Sequence, residues 1–234
     1  MKRSTINNLI DKAIPFMEAK GFHLPRFAYW DLNGWKQNQS KASAIFEAQL
    51  GWDVTDLGEG DFEHLGLVLF TLRNTTSDPN GKVLRTYAEK IIVIRKGQSI
   101  PLHFHRVKVE DIINRSGGDL KIELHNSSED GKLASGMQTI LMDGRWMDIP
   151  SGEVVTLAPG ESITIPRRCY HRFWAEDADV LIGEVSSAND DYTDNFFLKE
   201  YARFPSIEED EKPTYLLVND YQALVAGVAP FHGI

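Results

Sequence analysis

Residues 97–117 read GQSIPLHFHRVKVEDIINRSG, and this stretch carries two histidines and a carboxylate at close spacing. In an extended strand, residues i and i+2 point to the same face, so His103 and His105 can direct both imidazoles at one point. Glu110 has the wrong parity for the same unbroken strand, and it reaches that point only if the chain turns after the second histidine. The stretch therefore predicts a strand, a tight turn and a returning strand around a metal site. The alternative is a chance pair of hydrogen-bonded histidines on an exposed strand.

The composition narrows the class of protein. The chain has 234 residues, 42% of them hydrophobic, and a formal net charge of −9. Its length and apolar content predict a substantial core, and its acidity, with no Lys/Arg-rich stripe, argues against a nucleic-acid partner. No apolar run approaches the roughly 18 residues of a membrane span, and the N-terminus lacks the apolar region of a secretory signal. We therefore expect no membrane partner and a cytoplasmic location, which the lone cysteine, Cys169, expected in the core, also fits.

Short β-prone runs separated by turn signals fill the chain after Gly60. They include LGLVLFTLRN, LKIELHN, SITIP and, near the end, TYLLVND. About ten such runs without βαβ alternation predict a mainly β fold, either a sandwich or a barrel.

The residues before Gly60 have a different pattern, helical and rich in aromatic side chains. The segment STINNLIDKAIPFMEAK predicts an amphipathic helix that Pro15 is expected to kink or divide, and SKASAIFEAQLG predicts a second helix. The predicted organisation is one domain over residues 1–234, with a helical N-terminal cap over 1–60 and a β-barrel with a C-terminal segment over 61–234.

The glycines that flank the opening stretch complete a longer pattern. Gly97, His103, His105, Glu110 and Gly117 match G-x5-H-x-H-x4-E-x6-G at every fixed position. This is the first conserved motif of the cupin superfamily, which the chain therefore resembles. The resemblance implies a jelly-roll-like β-barrel with a metal site inside.

A second cupin motif, G-x5-P-x-G-x2-H-x3-N, is matched in part farther along the chain. Gly160, Pro166 and His171 occupy three of its fixed positions. Arg168 stands where the second glycine is usual, which leaves the shape of that turn open. Ala175 stands where asparagine is usual, which removes a hydrogen bond near the site, but neither departure removes a metal ligand.

Together the two motifs predict a metal site made of His103, His105, Glu110 and His171. Three neutral imidazoles and one carboxylate suit a divalent ion of manganese, iron, cobalt, nickel or zinc, and an octahedral ion keeps two positions for oxygen ligands. The absence of thiolate ligands argues against a structural zinc site.

Two charged residues in otherwise apolar runs are candidates for the chemistry. Lys90 in AEKIIVI and Glu184 in VLIGEV are costly to bury without a partner. Near a metal, Lys90 could stabilise an oxyanion or carry a proton, and Glu184 could accept one. The alternative for each is a side chain at the rim, in contact with solvent. The segment that follows, SSANDDYTDNFF, either forms turns or supplies carboxylates for sugar hydroxyls.

The whole chain resembles the D-lyxose isomerases, which are cupin-type ketol-isomerases. The resemblance rests on HFHRVKVEDIINRSGG, PRRCYHRFW, GEVSSANDDYTDNFF and RFPSIEEDE, together with the N-terminal helical region. It implies a manganese-preferring enzyme that interconverts D-lyxose with D-xylulose, and often D-mannose with D-fructose, through a cis-enediolate. In such an enzyme the metal holds two adjacent sugar oxygens while a base moves a proton between C1 and C2.

For that reaction, the candidate bases are Glu184 and Glu208, and Lys90 could exchange protons between the sugar oxygens. Glu208 reaches the site only if RFPSIEEDE folds back over the barrel mouth, with Arg203 as a cationic anchor that could also bind the sugar; otherwise it belongs to a solvated loop. Asp191 is expected to hold a distal hydroxyl, with Lys90 as a second sugar-binding group.

Two other functions use the same metal ligands. One is a metal-dependent dioxygenase, in which substrate and oxygen occupy the free positions of an iron ion, and the other is a cupin that binds a sugar without turning it over. The expected partner is a small neutral sugar, since the acidic chain weighs against a phosphosugar. We also expect a homodimer, the commonest oligomeric state.

Overall fold

The computed structural model describes residues 1–78, 80–187 and 189–225, so the last residues of the predicted barrel region, 226–234, lie outside it. The α-helices are α1 (Arg3–Ala19), α2 (Leu32–Asn38), α3 (Ser43–Glu47) and α4 (Tyr221–Val225), and short 3-10 helices span Arg26–Tyr29, Gln39–Lys41 and Val218–Asp220. The strands are β1 (Gly51–Thr55), β2 (Leu67–Arg73), β3 (Thr76–Ser77), β4 (Val83–Arg85), β5 (Ala88–Ile94), β6 (Ser99–Phe104), β7 (Glu110–Gly117), β8 (Leu120–Ser127), β9 (Leu133–Ala134), β10 (Met137–Met142), β11 (Arg145–Pro150), β12 (Glu153–Leu157), β13 (Ser162–Ile165), β14 (Tyr170–Ala175), β15 (Val180–Ser186) and β16 (Phe196–Phe197). Among these described residues, no helix is both long enough and apolar enough to span a bilayer.

Two antiparallel sheets face each other across a common core. The larger has the strand order β1-β2-β5-β15-β7-β13-β10-β11, and the smaller has the order β12-β8-β14-β6-β16 with β9 beside β8. Inward side chains of both sheets form one apolar cluster, which includes Ile92, Ile112, Ile122 and Phe173. A double sheet of this kind is the jelly-roll architecture, and the predicted mainly β, jelly-roll-like barrel is confirmed.

Strand β5 is covered on both faces, which explains why its sequence, AEKIIVI, is almost continuously apolar. Ile92 and Ile94 face the core between the sheets, whereas Ile91 and Val93 face outward into a second apolar cluster. A strand that is covered on both faces has no need of polar alternation. Lys90 has the parity of Ile92 and Ile94, so its side chain enters the barrel.

Helix α1 covers the outward face of the larger sheet. Its apolar stripe, including Ile6, Ile10 and Met17, packs with Trp52 and Phe70 in the second cluster. The helical region predicted as a cap thus lies along the side of the barrel, outside the core between the two sheets.

The structure corrects three local predictions. Strand β1 begins at Gly51, inside the region predicted to be helical and irregular, because GWDVT pairs with the edge of the larger sheet. The run TYLLVND is not a strand: Leu216 and Leu217 are both buried, and the Asp220 carboxylate accepts a hydrogen bond from the Leu217 amide at 2.8 Å, which begins a 3-10 turn. Helix α1 continues through Pro15 undivided, since Pro15 is on the exposed side, where water can satisfy the lost hydrogen bond.

Candidate metal centre and active site

A bulge in β6 turns the first histidine into the barrel. His103 lies opposite His171 on β14, but Ile100 lies opposite Phe173, so β6 has one extra residue between the two pairs. A β-bulge of this kind allows side chains three residues apart to face the same side of a sheet. His103 therefore shares the barrel interior with His171, although Ile100 of the same strand packs in the core.

Glu110 reaches the same interior by the predicted path of strand, turn and returning strand. Strand β6 ends at Phe104 and β7 begins at Glu110, which has the inward parity of Ile112. The motif glycine that ends β7 permits a close approach: Gly117 has a φ of +110°, and a Cβ there would lie 2.1 Å from the backbone oxygen of Asp179. Only glycine fits this return of the chain.

Each of the three histidines is oriented by a backbone carbonyl. Nδ1 of His103 lies 2.9 Å from the Pro101 oxygen, Nδ1 of His105 lies 2.5 Å from the Asp194 oxygen, and Nδ1 of His171 lies 3.1 Å from the Cys169 oxygen. Since a carbonyl can only accept, each Nδ1 carries the proton and each Nε2 presents a lone pair. The ligand atoms of the three buried rings lie within 4.8 Å of one another.

The Glu110 carboxylate completes the group. Its Oε1 lies 2.9 Å from Nε2 of His171 and 3.4 Å from Nε2 of His105, and all three atoms are buried without a hydrogen bond. Neighbouring lone pairs of this kind need a cation between them. The residues present therefore fit a divalent metal: the three predicted histidine ligands lie together, and Glu110 lies beside His105 and His171.

The protonation states of His103 and Glu110 also suit metal binding. Burial, followed by the neighbouring His171 and His105, holds the pKa of His103 well below its ordinary value, which keeps the ring neutral. Burial alone would raise the pKa of Glu110, but the Lys108 ammonium outweighs it and holds the pKa well below its ordinary value. Neutral imidazoles and an ionised carboxylate are the forms that bind metals.

The second motif keeps its turn although Arg168 replaces glycine. Arg168 has a φ of +62°, in the left-handed region that favours glycine. Its guanidinium donates to the carbonyls of Ser128 at 2.7 Å and Glu129 at 3.0 Å, and its backbone N–H donates to the His105 oxygen at 2.7 Å. The turn before His171 is therefore tied directly to the strand end that carries His105.

Lys108 extends the site away from the histidines. Its ammonium lies 2.7 Å from Oε2 of Glu110 and 2.8 Å from Oε1 of Glu184. Burial alone would lower the pKa of Lys108, but Glu110 and Glu184 outweigh it and raise the pKa well above its ordinary value. A fixed positive charge thus joins Glu110, which lies beside the histidine group, to a second carboxylate on β15.

A line of alternating charges continues from Glu184 along the cavity wall. Lys90 lies directly across from Glu184 in the pairing of β5 with β15, with Nζ 3.9 Å from Oε1, and donates to Asp191 at 2.9 and 3.0 Å. Arg203 follows, 3.7 Å from Asp191 and 2.6 Å from Asp53. Burial alone would raise the pKa of Asp191, but Lys90 and Arg203 outweigh it and hold the pKa well below its ordinary value.

One cavity contains the histidine group and most of this charged line. Phe173 and Phe197 add apolar surface to its wall. Polar groups of both signs beside a metal-ligating group and apolar faces are the features of a site for a small polyhydroxylated ligand.

A sequence profile of the family described as D-lyxose isomerase matches residues 1–221. The chain belongs to the D-lyxose isomerase family. A relative from Serratia proteamaculans named D-lyxose/D-mannose isomerase is 44% identical over 230 residues, which cover 97% of this chain and 100% of that protein. The predicted family and the prediction of a sugar isomerase are confirmed.

Solved structures of sugar isomerases share the fold. The L-ribose isomerase of Acinetobacter sp. DL28, determined as a mutant in complex with L-ribose, aligns with a TM-score of 0.60 at 15% identity, over 89% of this chain and 98% of that chain. The L-ribose isomerase of Cellulomonas parahominis aligns with a TM-score of 0.54 at 14% identity, over the same shares of the two chains. At 14–15% sequence identity, this similarity shows a shared fold and nothing about the activity.

One candidate base of this D-lyxose isomerase family member is not at the site. Glu208 is largely exposed, its carboxylate lies 3.9 Å from the Lys2 ammonium, and its backbone pairs with the N-terminal residues, with Arg3 donating to its oxygen at 2.9 Å. The C-terminal segment does fold back and brings Arg203 to the cavity, but residues 206–210 then run along the N-terminus. The prediction that Glu208 reaches the reacting centre is wrong for this reason.

Two residues of the line of alternating charges are not among the predicted site residues: Lys108, which lines the cavity, and Asp53, which pairs with the cavity residue Arg203. Lys108 lies in the opening stretch itself, where VKVE offered the same signal of a lysine between apolar residues that marked Lys90. Asp53 lies in GWDVT, where Trp52 and Val54 face the outer cluster and leave Asp53 inward. The alternation of apolar and polar residues in GWDVT indicates a strand, although this segment lies in the region that the sequence predicts to be the helical cap.

Proposed function

We propose that this sugar isomerase is metal-dependent and interconverts D-lyxose with D-xylulose and D-mannose with D-fructose through a cis-enediolate. The observation that carries the proposal is the position of Glu184, a buried carboxylate joined through one ammonium, Lys108, to the metal-ligand carboxylate Glu110. The name of the Serratia relative supports the choice of sugars.

The metal would be held by His103, His105, Glu110 and His171, and we propose Mn²⁺ as the resident ion. When bound, a divalent ion supplies Lewis acidity that makes the C–H bond beside a sugar carbonyl more acidic. The protein supplies the rest: a binding surface, an acid-base group and a cavity lined partly by apolar side chains.

Glu184 is proposed to take the proton from C2 of the aldose and return it to C1. Its carboxylate lines the cavity and is 5% exposed, so it is shielded from bulk water. The Lys108 ammonium, 2.8 Å away, holds the carboxylate in one orientation. A positioned carboxylate of this kind contributes typically 10²–10⁴-fold to the rate of a proton transfer.

Lys90, Asp191 and Arg203 are proposed to bind the sugar hydroxyls. All three line the cavity, and the Asp191 carboxylate is fixed by Lys90 at 2.9 Å and by the Asn189 side chain at 3.0 Å. Lys90 also lies 3.9 Å from Glu184, so it is placed to move a proton between the two oxygens of the enediolate. Fixed donors and acceptors orient a hydroxylated substrate without ordering costs of their own.

The two alternatives predict different products from the same cavity. A dioxygenase would consume oxygen and cleave its substrate, and a binding protein would leave the sugar unchanged. Membership of the D-lyxose isomerase family favours the isomerase over both. The homodimer stays a prediction.

The test is isomerisation of D-lyxose in heavy water by the Mn²⁺-loaded protein under anaerobic conditions. Transfer through a base that exchanges with solvent places deuterium at C1 or C2. The variant Glu184→Gln should lose at least about 10²-fold in kcat and keep its bound metal, whereas Glu208→Gln, the matched control, should retain wild-type kcat. Oxygen consumption with carbon–carbon cleavage in a parallel aerobic incubation, or sugar binding without exchange, would overturn the proposal.

A further inference from the structure

The turn between β6 and β7 is held by a carboxylate from a distant loop. Asp194 is 6% exposed, and its side chain accepts hydrogen bonds from three successive backbone amides. The donors are Arg106 at 2.8 Å, Val107 at 3.1 and 3.2 Å, and Lys108 at 2.9 Å. The amides lie between the two strands, where no ladder partner satisfies them.

The backbone of Asp194 holds a metal ligand at the same time. Its carbonyl oxygen accepts the Nδ1–H of His105 at 2.5 Å. This bond fixes the tautomer of His105 and the orientation of its ring. One residue thus fixes both the ligand His105 and the three residues that follow it.

The contact between Asp194 and this turn is relevant to the reaction because the turn positions Lys108. Lys108, the last of them, places its ammonium between Glu110 and Glu184. A shift of the turn would move Lys108 and the start of β7, and with it the metal-ligand carboxylate Glu110. A displacement of about 1 Å at such groups can cost on the order of 10²-fold in rate.

The loop that supplies Asp194 also forms part of the cavity wall that we propose binds the sugar. Asp191 and Asn195 line the cavity, the Asn195 side chain donates to the Asp191 oxygen at 3.0 Å, and the Asp194 N–H donates to the Asp190 oxygen at 3.1 Å. The segment 190–195 is therefore one hydrogen-bonded unit. In it, Asp191 and Asn195 line the cavity, and the Asp194 carboxylate holds the turn between β6 and β7.

We propose that Asp194 is a positioning residue that links the sugar-binding loop to the metal centre. It touches neither the metal nor the sugar, and it acts by holding His105 and Lys108 in place. The kinetic part of this inference rests on the proposed function, whereas the metal-binding part stands without it.

The test compares Asp194→Asn with Asp190→Asn. Both residues are in the same loop and both carboxylates accept from backbone amides. Among the residues that the structure describes, however, the partners of the Asp190 carboxylate are Tyr192 and Thr193 of the loop itself. Replacing one carboxylate oxygen of Asp194 with an NH₂ group turns a donor toward amides that also donate. Mn²⁺ affinity is measured by titration with electron paramagnetic resonance detection of free Mn²⁺, which needs no turnover.

Asp194→Asn should weaken Mn²⁺ binding about 10- to 100-fold and lower kcat with a smaller change in KM, while Asp190→Asn keeps its Mn²⁺ affinity within about twofold of wild type. A folded Asp194→Asn protein with wild-type Mn²⁺ affinity would overturn the proposal. If the wild type binds Mn²⁺ but converts no sugar, the proposed function fails and the affinity comparison still decides the role of Asp194.

A second measurement needs no variant. In the metal-free wild-type protein, the amide hydrogens of 106–108 should exchange slowly with solvent, because each donates to the buried Asp194 carboxylate. Exchange at the rate of the exposed turn that holds Asn80 and Gly81 would contradict the contact and the proposal with it.

Discussion

Lys108 lies 2.8 Å from Glu184 inside the cavity, and the same ammonium neutralises Glu110. Two buried carboxylates thus share one counter-charge. Each would be costly to keep ionised without it. The pair is the structural link between the group that would hold a metal and the group that would move a proton.

Removing this ammonium should destabilise the protein. Lys108→Met keeps the length of the side chain but leaves Glu110 and Glu184 without their shared partner, and we expect a loss of about 3–5 kcal/mol in the free energy of unfolding. Urea denaturation of metal-free protein at neutral pH measures it. Lys132→Met is the matched control, since Lys132 pairs with Asp130 at the surface, and its stability should equal that of wild type; equal stability of Lys108→Met would contradict the prediction.

Asp191 should make stability depend on pH on the acid side. Its pKa is held well below its ordinary value, and a carboxyl of this kind contributes stability that is complete above its unfolded pKa, about 3.9, and is lost as the pH falls through the folded value. Asp191→Asn should therefore unfold more easily at neutral pH, and its difference from wild type should shrink below about pH 4. Denaturation curves over this range check the sign, and a constant difference would refute it.

The Arg168 turn allows backbone strain to be measured by itself. Arg168→Gly and Arg168→Ala both lose the guanidinium contacts to Ser128 and Glu129, and they differ in the cost of the left-handed φ of +62°. We expect the glycine variant to be more stable than the alanine variant by about 1–2 kcal/mol. Thermal or urea unfolding of the two variants gives the difference directly, and an alanine variant of equal stability would show that the turn relaxes.

The two glycines that bound the first motif should respond differently to substitution. Both have a positive φ, but a Cβ at Gly97 would meet nothing within 4 Å, whereas one at Gly117 would lie 2.1 Å from the Asp179 backbone oxygen. Gly97→Ala should cost only the strain of its φ, and Gly117→Ala should cost about 1–3 kcal/mol more, because the neighbouring backbone must move. Equal losses in urea denaturation would contradict this assignment.

The candidate metal-binding group was predictable from sequence because its members occupy fixed positions of two local motifs. The parity argument was incomplete, however, since it gave no sign of the β6 bulge that turns His103 inward beside Ile100. A bulge depends on pairing with β14, which is distant in sequence. The requirement for a turn before Glu110 did follow from parity and is confirmed.

The residues proposed to carry protons were harder to predict because their positions depend on long-range packing. Lys90 and Glu184 were found since each interrupts an apolar strand, and their parity then sets their side chains in the barrel. The prediction for Glu208 was wrong because the acidic run at 208–211 contains no signal of which residues it pairs with. Its location is set by contacts between residues 206–210 and the first residues of the chain, and these contacts have no local sequence signal.

The line of alternating charges also limits how this cavity can change. From Asp53 through Arg203, Asp191, Lys90, Glu184 and Lys108 to Glu110, every group has a neighbour of opposite sign. A single substitution therefore creates an unmatched charge in a poorly solvated place. Evolution or laboratory selection toward other sugars would proceed most easily through paired substitutions of adjacent members, and mutant libraries that vary two neighbours together should yield more folded variants than libraries that vary one.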